Sequence, residues 1–156
     1  MLPDRWTGDL ELLWNALAAA LRDPSLEHEL LRWLQDRSPW EWARLDDSER
    51  SWRAVYKGPS FTSSTLSRGW RSFSGNGHER EAAVRELAFD SHEATNGFLL
   101  VRCDDWVGAV RQRARAAILS LVAEGKVDLL TWMPLLLARA SPVVAGGARR
   151  GAAAWA

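Results

Sequence analysis

Two short patterns in this chain each occur twice, in alternating order, and that restricts its fold more than anything else. Ala82-Ala83-Val84-Arg85-Glu86-Leu87-Ala88 is echoed by Gly108-Ala109-Val110-Arg111-Gln112-Arg113-Ala114 at an offset of 26 residues. Gly97-Phe98-Leu99-Leu100-Val101-Arg102 is echoed by Pro134-Leu135-Leu136-Leu137-Ala138-Arg139 at an offset of 37. A first-helix pattern and a second-helix pattern recurring in turn are the sequence signature of stacked helical hairpins, units that bury their apolar faces only against their neighbours.

The periodicity agrees. Helices are expected near 79–89, 92–103, 107–123 and 127–139. In the third, Val107, Val110, Ala114, Ala117, Ile118 and Leu121 form one apolar stripe, with Arg113, Arg115 and Ser120 outside it. Arg111 falls at the stripe's margin, where a long side chain buries its stem and pairs its head. The fourth is apolar nearly all round (Val127, Leu129, Leu130, Trp132, Met133, Leu135, Leu136, Leu137), so it needs cover on more than one side. Pro134 is expected to kink or break it. Strand signals are almost absent: no apolar run has a period of two, and Asn76-Gly77 and Asn96-Gly97 both adjoin helical patterns.

Asp105 to Leu121, DWVGAVRQRARAAILSL, resembles the HEAT-repeat signature, in which an Asp opens the turn and a Val-Arg pair follows on the next helix. Residues 80–122 are also similar to a group of bacterial HEAT-repeat proteins with an Arg-x-x-Asp-Trp-Val turn, here Arg102-Cys103-Asp104-Asp105-Trp106-Val107. The resemblance covers roughly residues 76–140. It implies an all-α protein, an α-solenoid of HEAT-like hairpins, in which Asp105 and Arg111, six apart, form a ladder pair linking neighbouring repeats. In the first copy Glu79 stands where the turn Asp belongs.

Ahead of the repeats, residues 8–22 read as an amphipathic helix with Leu10, Leu13, Trp14, Leu17 and Leu21 on one face. Pro24 and Ser25 interrupt it. A second helix follows near 25–36, with Leu26, Leu30, Leu31 and Leu34 on one side, and a third near 38–56, with Ser38 as N-cap and Pro39 in its first turn. Asp46-Asp47-Ser48 is expected to split the third. Residues 57–77 turn rich in Ser and Gly, although Leu66, Trp70 and Phe73 suit one short helical turn. The expected organisation is a helical region at 1–58, a linker at 59–77, two HEAT-like repeats at 78–140, and a tail or incomplete further repeat at 141–156.

Composition narrows function. The 20 basic and 20 acidic residues cancel, so no whole-molecule field draws the chain to nucleic acid or membrane. Residues 1–56 hold 7 basic and 11 acidic side chains and residues 100–156 hold 8 and 4, a polarity able to orient a partner. A single cysteine, Cys103, excludes an internal disulfide and a cysteine-cluster metal site, and His28, His78 and His92 are far apart. The first apolar stretch, Leu12 to Leu21, follows acidic residues, unlike a secretory signal, and no run is long enough to span a membrane. The expected setting is the cytoplasm, with no membrane, metal, cofactor or small-molecule substrate.

No nucleophile elbow, phosphate loop, His-Glu-x-x-His or dinucleotide fingerprint occurs, so no catalytic residue is nominated. Ten tryptophans invite an interface reading: most suit packing, whereas Trp40, Trp42, Trp70 and Trp155 stand in polar or loop-like surroundings. The nominated contact residues are Trp106, Arg113, Arg115 and Trp70. The leading expectation is a non-catalytic protein–protein interaction or scaffold module. Nucleic acid is the alternative partner, because the arginines at 102, 111, 113, 115, 139, 149 and 150 offer phosphate contacts and the architecture resembles that of the HEAT-like alkylpurine DNA glycosylases. A relative of the bilin-attaching HEAT-like lyases is a weaker third reading.

Overall fold

The computed structural model describes residues 15–17, 19–20, 22–52 and 64–140. Helical backbone at 15–17 and 19–20 is followed by seven further helices among the described residues, and no strand occurs among them. They are α1 (Pro24–Gln35), α2 (Pro39–Trp52), α3 (Thr65–Arg71), α4 (Gly77–Leu87), α5 (Ala94–Arg102), α6 (Gly108–Ala123) and α7 (Leu129–Ala140). Most of the helix expected over 8–22, residues 53–56 and the tail at 141–156, with Arg149, Arg150 and Trp155, lie outside the described residues.

Local chemistry sets the helix ends. Asp23 caps α1 by accepting the Ser25 N–H at 2.9 Å, with Pro24 in the first turn. Ser38 and Glu41 form a reciprocal capping box on α2: Glu41 Oε2 accepts the Ser38 N–H at 2.8 Å and Ser38 Oγ accepts the Glu41 N–H at 3.3 Å. α6 stops at a Schellman turn, where Gly125 takes φ +71 and the Gly125 and Lys126 N–H groups reach back to Val122 and Leu121 carbonyls.

Two expectations about breaks are corrected. α2 runs unbroken through Asp46-Asp47, because Asp46 turns into the core to meet arginines and Asp47 lies 3.7 Å from Arg139. α7 likewise continues through Pro134, so of the kink or break expected there the break does not occur. The carbonyl that the proline leaves without its helical donor belongs to Leu130, which is 81% exposed and open to water. Within the stretch read as a linker, residues 65–71 form α3, with Leu66, Ser67, Gly69 and Trp70 buried.

The core gathers around α5, whose Ala94, Thr95 and Gly97–Arg102 are all buried. α5 packs against α1, α2, α3, α4 and α6; α6 also lies on α4, and α7 on α2. Two glycines allow the closest approaches. A Cβ on Gly97 would stand 2.2 Å from the Trp42 indole, and one on Gly69 would stand 2.4 Å from the Phe98 ring. Trp42 therefore lies directly on the backbone of α5, and Phe98 on that of α3. The rings Trp42, Phe98, Phe73 and Trp70 continue as edge-to-face pairs at 4.8, 5.7 and 5.5 Å, the geometry aromatic quadrupoles prefer. On α6 the expected stripe faces inward, with Val110, Ala114 and Ile118 buried. On α1 the buried set is Leu30, Leu31, Trp33 and Leu34, whereas Leu26 is 39% exposed.

Candidate functional site

The turn from α5 into α6 concentrates buried charge. Asp105 is fully buried, and its carboxylate accepts Arg80 Nε at 3.0 Å, Arg80 Nη2 at 3.2 Å, Arg102 Nη1 at 3.1 Å and the Val107 N–H at 2.8 Å. Arg102 continues the chain of charges to Asp46 on α2, and Asp46 in turn lies 3.4 Å from Arg139 on α7. Arg80 also donates to the Ser74 and Gly75 carbonyls, closing the turn before α4. Asp46, Arg102, Asp105 and Arg80 thus form a neutral seam joining α2, α5 and α4. Withdrawing such ions from water costs several kcal/mol each, so the seam persists only because each has its counter-charge, and removing one partner typically costs about 3–5 kcal/mol. Asp105, surrounded by guanidinium and amide donors, is the hub of this seam.

The nominated residues surround this hub in different states. Arg111 reaches the Asp105 backbone carbonyl at 2.6 Å, while the Asp105 carboxylate serves Arg80 and Arg102. Trp106 is 58% exposed, and one ring face is occupied by the Arg80 guanidinium, whose carbon lies 4.1 Å from the ring centroid. Arg113 bridges α6 to α4 through Glu81 at 2.8 Å, with about half its side chain exposed. Arg115 Nε donates to the Cys103 carbonyl at 2.8 Å and so satisfies the end of α5. Trp70, nominated as a contact residue, lies in the core at 4% exposure beside Phe73, and Trp42 is buried to 1%. Trp40 remains half exposed. Arg102, Arg111, Arg113, Arg115 and Arg139 all donate to this chain's own carboxylates or carbonyls, so they do not project as a separate phosphate-facing row.

Cys103, the His92 ring and the His78 backbone N–H have structural partners. Burial pushes the Cys103 thiol up to about 11, and its Sγ lies 3.6 Å from the Leu99 carbonyl, so at neutral pH it is a protonated core group. His92 Nδ1 accepts the Ala94 N–H at 3.2 Å at the start of α5, and the His78 N–H is held by the Asn76 cap at 3.0 Å. Among the described residues no group of three or more His, Cys, Asp or Glu is placed to hold a metal ion. No helix there is long and apolar enough to cross a membrane.

Two surface features remain. The outward side of α7 exposes Leu130 at 81%, Met133 at 41% and Leu137 at 59%, a helical spacing of three and four residues. Its inward side carries Leu135, buried, with Trp132 and Leu136 packed on the core. Next to the first turn of α7, a cleft of about 430 Å³ opens between the α1–α2 corner and the start of α5, lined by Asp36, Glu41, Trp42, Glu93, Gly97 and Trp132 among others. Sequence reasoning missed Asp46, Arg80 and this cleft. The 102–105 spacing was visible as a motif, but no local signal links Asp46 to a partner 56 residues away.

No protein-family model matches the chain, and no curated protein or solved structure matches it.

Proposed function

We propose that this chain is a non-catalytic protein-interaction module of the HEAT-like helical-hairpin type, and that its partner is a protein rather than a nucleic acid. The observation that carries the reading is the outward face of α7. Leu130, Met133 and Leu137 form an exposed apolar row on a helix whose other side is already packed. Exposed large apolar side chains grouped on one element mark interaction surfaces, whereas single scattered ones do not. Consecutive hairpins support the repeat reading: α4 and α5 pack together, and α6 lies on both. Among the described residues, the arginines nominated for a phosphate backbone, Arg102, Arg111, Arg113, Arg115 and Arg139, each donate to groups of this chain.

Selection from a displayed peptide library tests this. The expected result is a set of enriched sequences that bind the parent protein and are lost with the double variant Leu130→Ser, Leu137→Ser while helical content is retained. A selection that enriches nothing, or sequences indifferent to the double variant, overturns the α7 assignment.

A further inference from the structure

The cleft beside α7 combines an indole N–H with a carboxylate rim. Its floor is Trp42, 1% exposed, whose indole edge carrying Cε2, Cζ2 and Nε1 lies against Gly97 of the cleft wall. Among the described residues no acceptor reaches that Nε1, and the atom is not one of the sealed polar atoms of the core. A buried indole N–H ordinarily has an acceptor. Trp42 is one of the cleft's lining residues, so this donor belongs to its wall.

The rim carries the opposite character. Asp36 and Glu93 are exposed, and Glu93 has one hydrogen-bond partner among the described residues, Gln35 Nε2, on one of its oxygens. Glu93 occupies the N-cap position of α5 without capping it through its side chain, a task that falls to His92. Glu41 is committed to Ser38 and Arg37. Arg37, the one cation among the described lining residues, lies over the Trp33 ring at 4.5 Å and donates to the Trp33 carbonyl and Glu41. Lys126, whose carbonyl accepts from the lining residue Asn96, pairs its ammonium with Glu124 at 2.7 Å. Among the described lining residues, three carboxylates against one arginine give a formal charge of −2. Trp132 supplies an aromatic wall.

We propose that this cleft receives a short basic segment of a protein partner. An arginine or lysine side chain sits against Trp132 and the Asp36 and Glu93 carboxylates, and a backbone carbonyl accepts the Trp42 indole N–H. Each part follows from the lining: the negative rim repels phosphate and attracts guanidinium, which also stacks on indole. The inward donor calls for a carbonyl, and about 430 Å³ accommodates more than one side chain. The proposal rests on the protein-interaction reading and names the chemistry of one contact within it.

The test uses the ¹⁵N-labelled full chain and the peptide acetyl-Gly-Gly-Arg-Gly-Gly-amide, followed through the tryptophan indole N–H resonances. The expected result is a saturable shift of the Trp42 indole signal that weakens about three- to fivefold or more when citrulline, a neutral isostere, replaces arginine. Glu93→Gln, an exposed and conservative change, weakens it by a similar factor, and Trp132→Leu by about three- to tenfold. An equal response to the citrulline peptide, an unmoved Trp42 signal, or tighter binding of free arginine than of the peptide overturns the proposal. If library sequences still require Leu130 and Leu137 while the arginine peptide leaves Trp42 unmoved, the cleft assignment falls and the interaction module stands. If neither binds, both fall.

Discussion

The two ends of α5 hold polar residues under opposite conditions. At the C-terminal end, Arg102 and the following Asp105 are dry, with Arg80 and Asp46 supplying the opposing charges. At the N-terminal end, the exposed Glu93 and Asp36 line an open cleft together with Trp42, whose indole N–H has no acceptor among the described residues. A buried charge must be paired or the helix does not pack, so the first end is legible as architecture. A polar group at a wet rim costs little to leave unmade, so the second end is free to recognise something. That difference separates the residues we assign to the fold from those we assign to a partner.

Breaking the dry end is expected to have the largest effect. Asp105→Ala leaves Arg80 and Arg102 without their shared carboxylate and is expected to destabilise by about 3–5 kcal/mol, read by urea unfolding. Gly97→Ala attacks the middle of the same helix, where a methyl would enter the Trp42 ring. The cost is about 1–3 kcal/mol, and thermal melts should show it alongside a changed Trp42 indole resonance. Arg111→Ala removes one hydrogen bond from a guanidinium to the Asp105 carbonyl, expected at about 1.5–3 kcal/mol. Equal, negligible effects of Arg111→Ala and Arg113→Ala would remove the special status of the turn. For Arg113→Ala itself the expectation is at most about 1 kcal/mol, since its pair with Glu81 is half exposed and screened by salt.

A pH series sharpens the comparison from a third place. Burial raises the Asp90 carboxyl, but hydrogen bonds from Arg68, Thr65 and the His92 N–H outweigh it and hold the group below the ordinary carboxylate value. A folded-state value below the unfolded one means that Asp90 contributes stability above the unfolded pKa, near 3.9, and loses it as pH falls through the lower folded value. Unfolding free energies of parent and Asp90→Asn should therefore differ fully at pH 6 and begin to converge only as pH falls below about 4. A gap that persists unchanged to pH 2 would show that Asp90 acts through shape rather than charge.

Much of the secondary structure was legible in advance, for reasons that act over one or two turns. The stripe Val110-Ala114-Ile118 predicts the inward face of α6, and Ser38 with Pro39 marks the start of α2. The misreadings share a cause. Asp46-Asp47 suggests a break only while Arg102 and Arg139 are out of sight, and Trp42 and Trp70 suggest a surface only while Gly97 and Phe73 are. The cleft was illegible for the same reason: Asp36, Glu93 and Trp132 belong to three segments that no periodicity connects.

The sequence by itself therefore determined the helices, their caps and the apolar side of most of them, because dihedral preference, capping and the 3.6-residue period are local properties. Only the tertiary structure decided which tryptophans are floor and which are surface, which carboxylates are neutralised and which stay open. Those outcomes depend on charges and ring faces brought together across as many as 93 residues, as between Asp46 and Arg139. Their energies exist only once burial has removed the water between them.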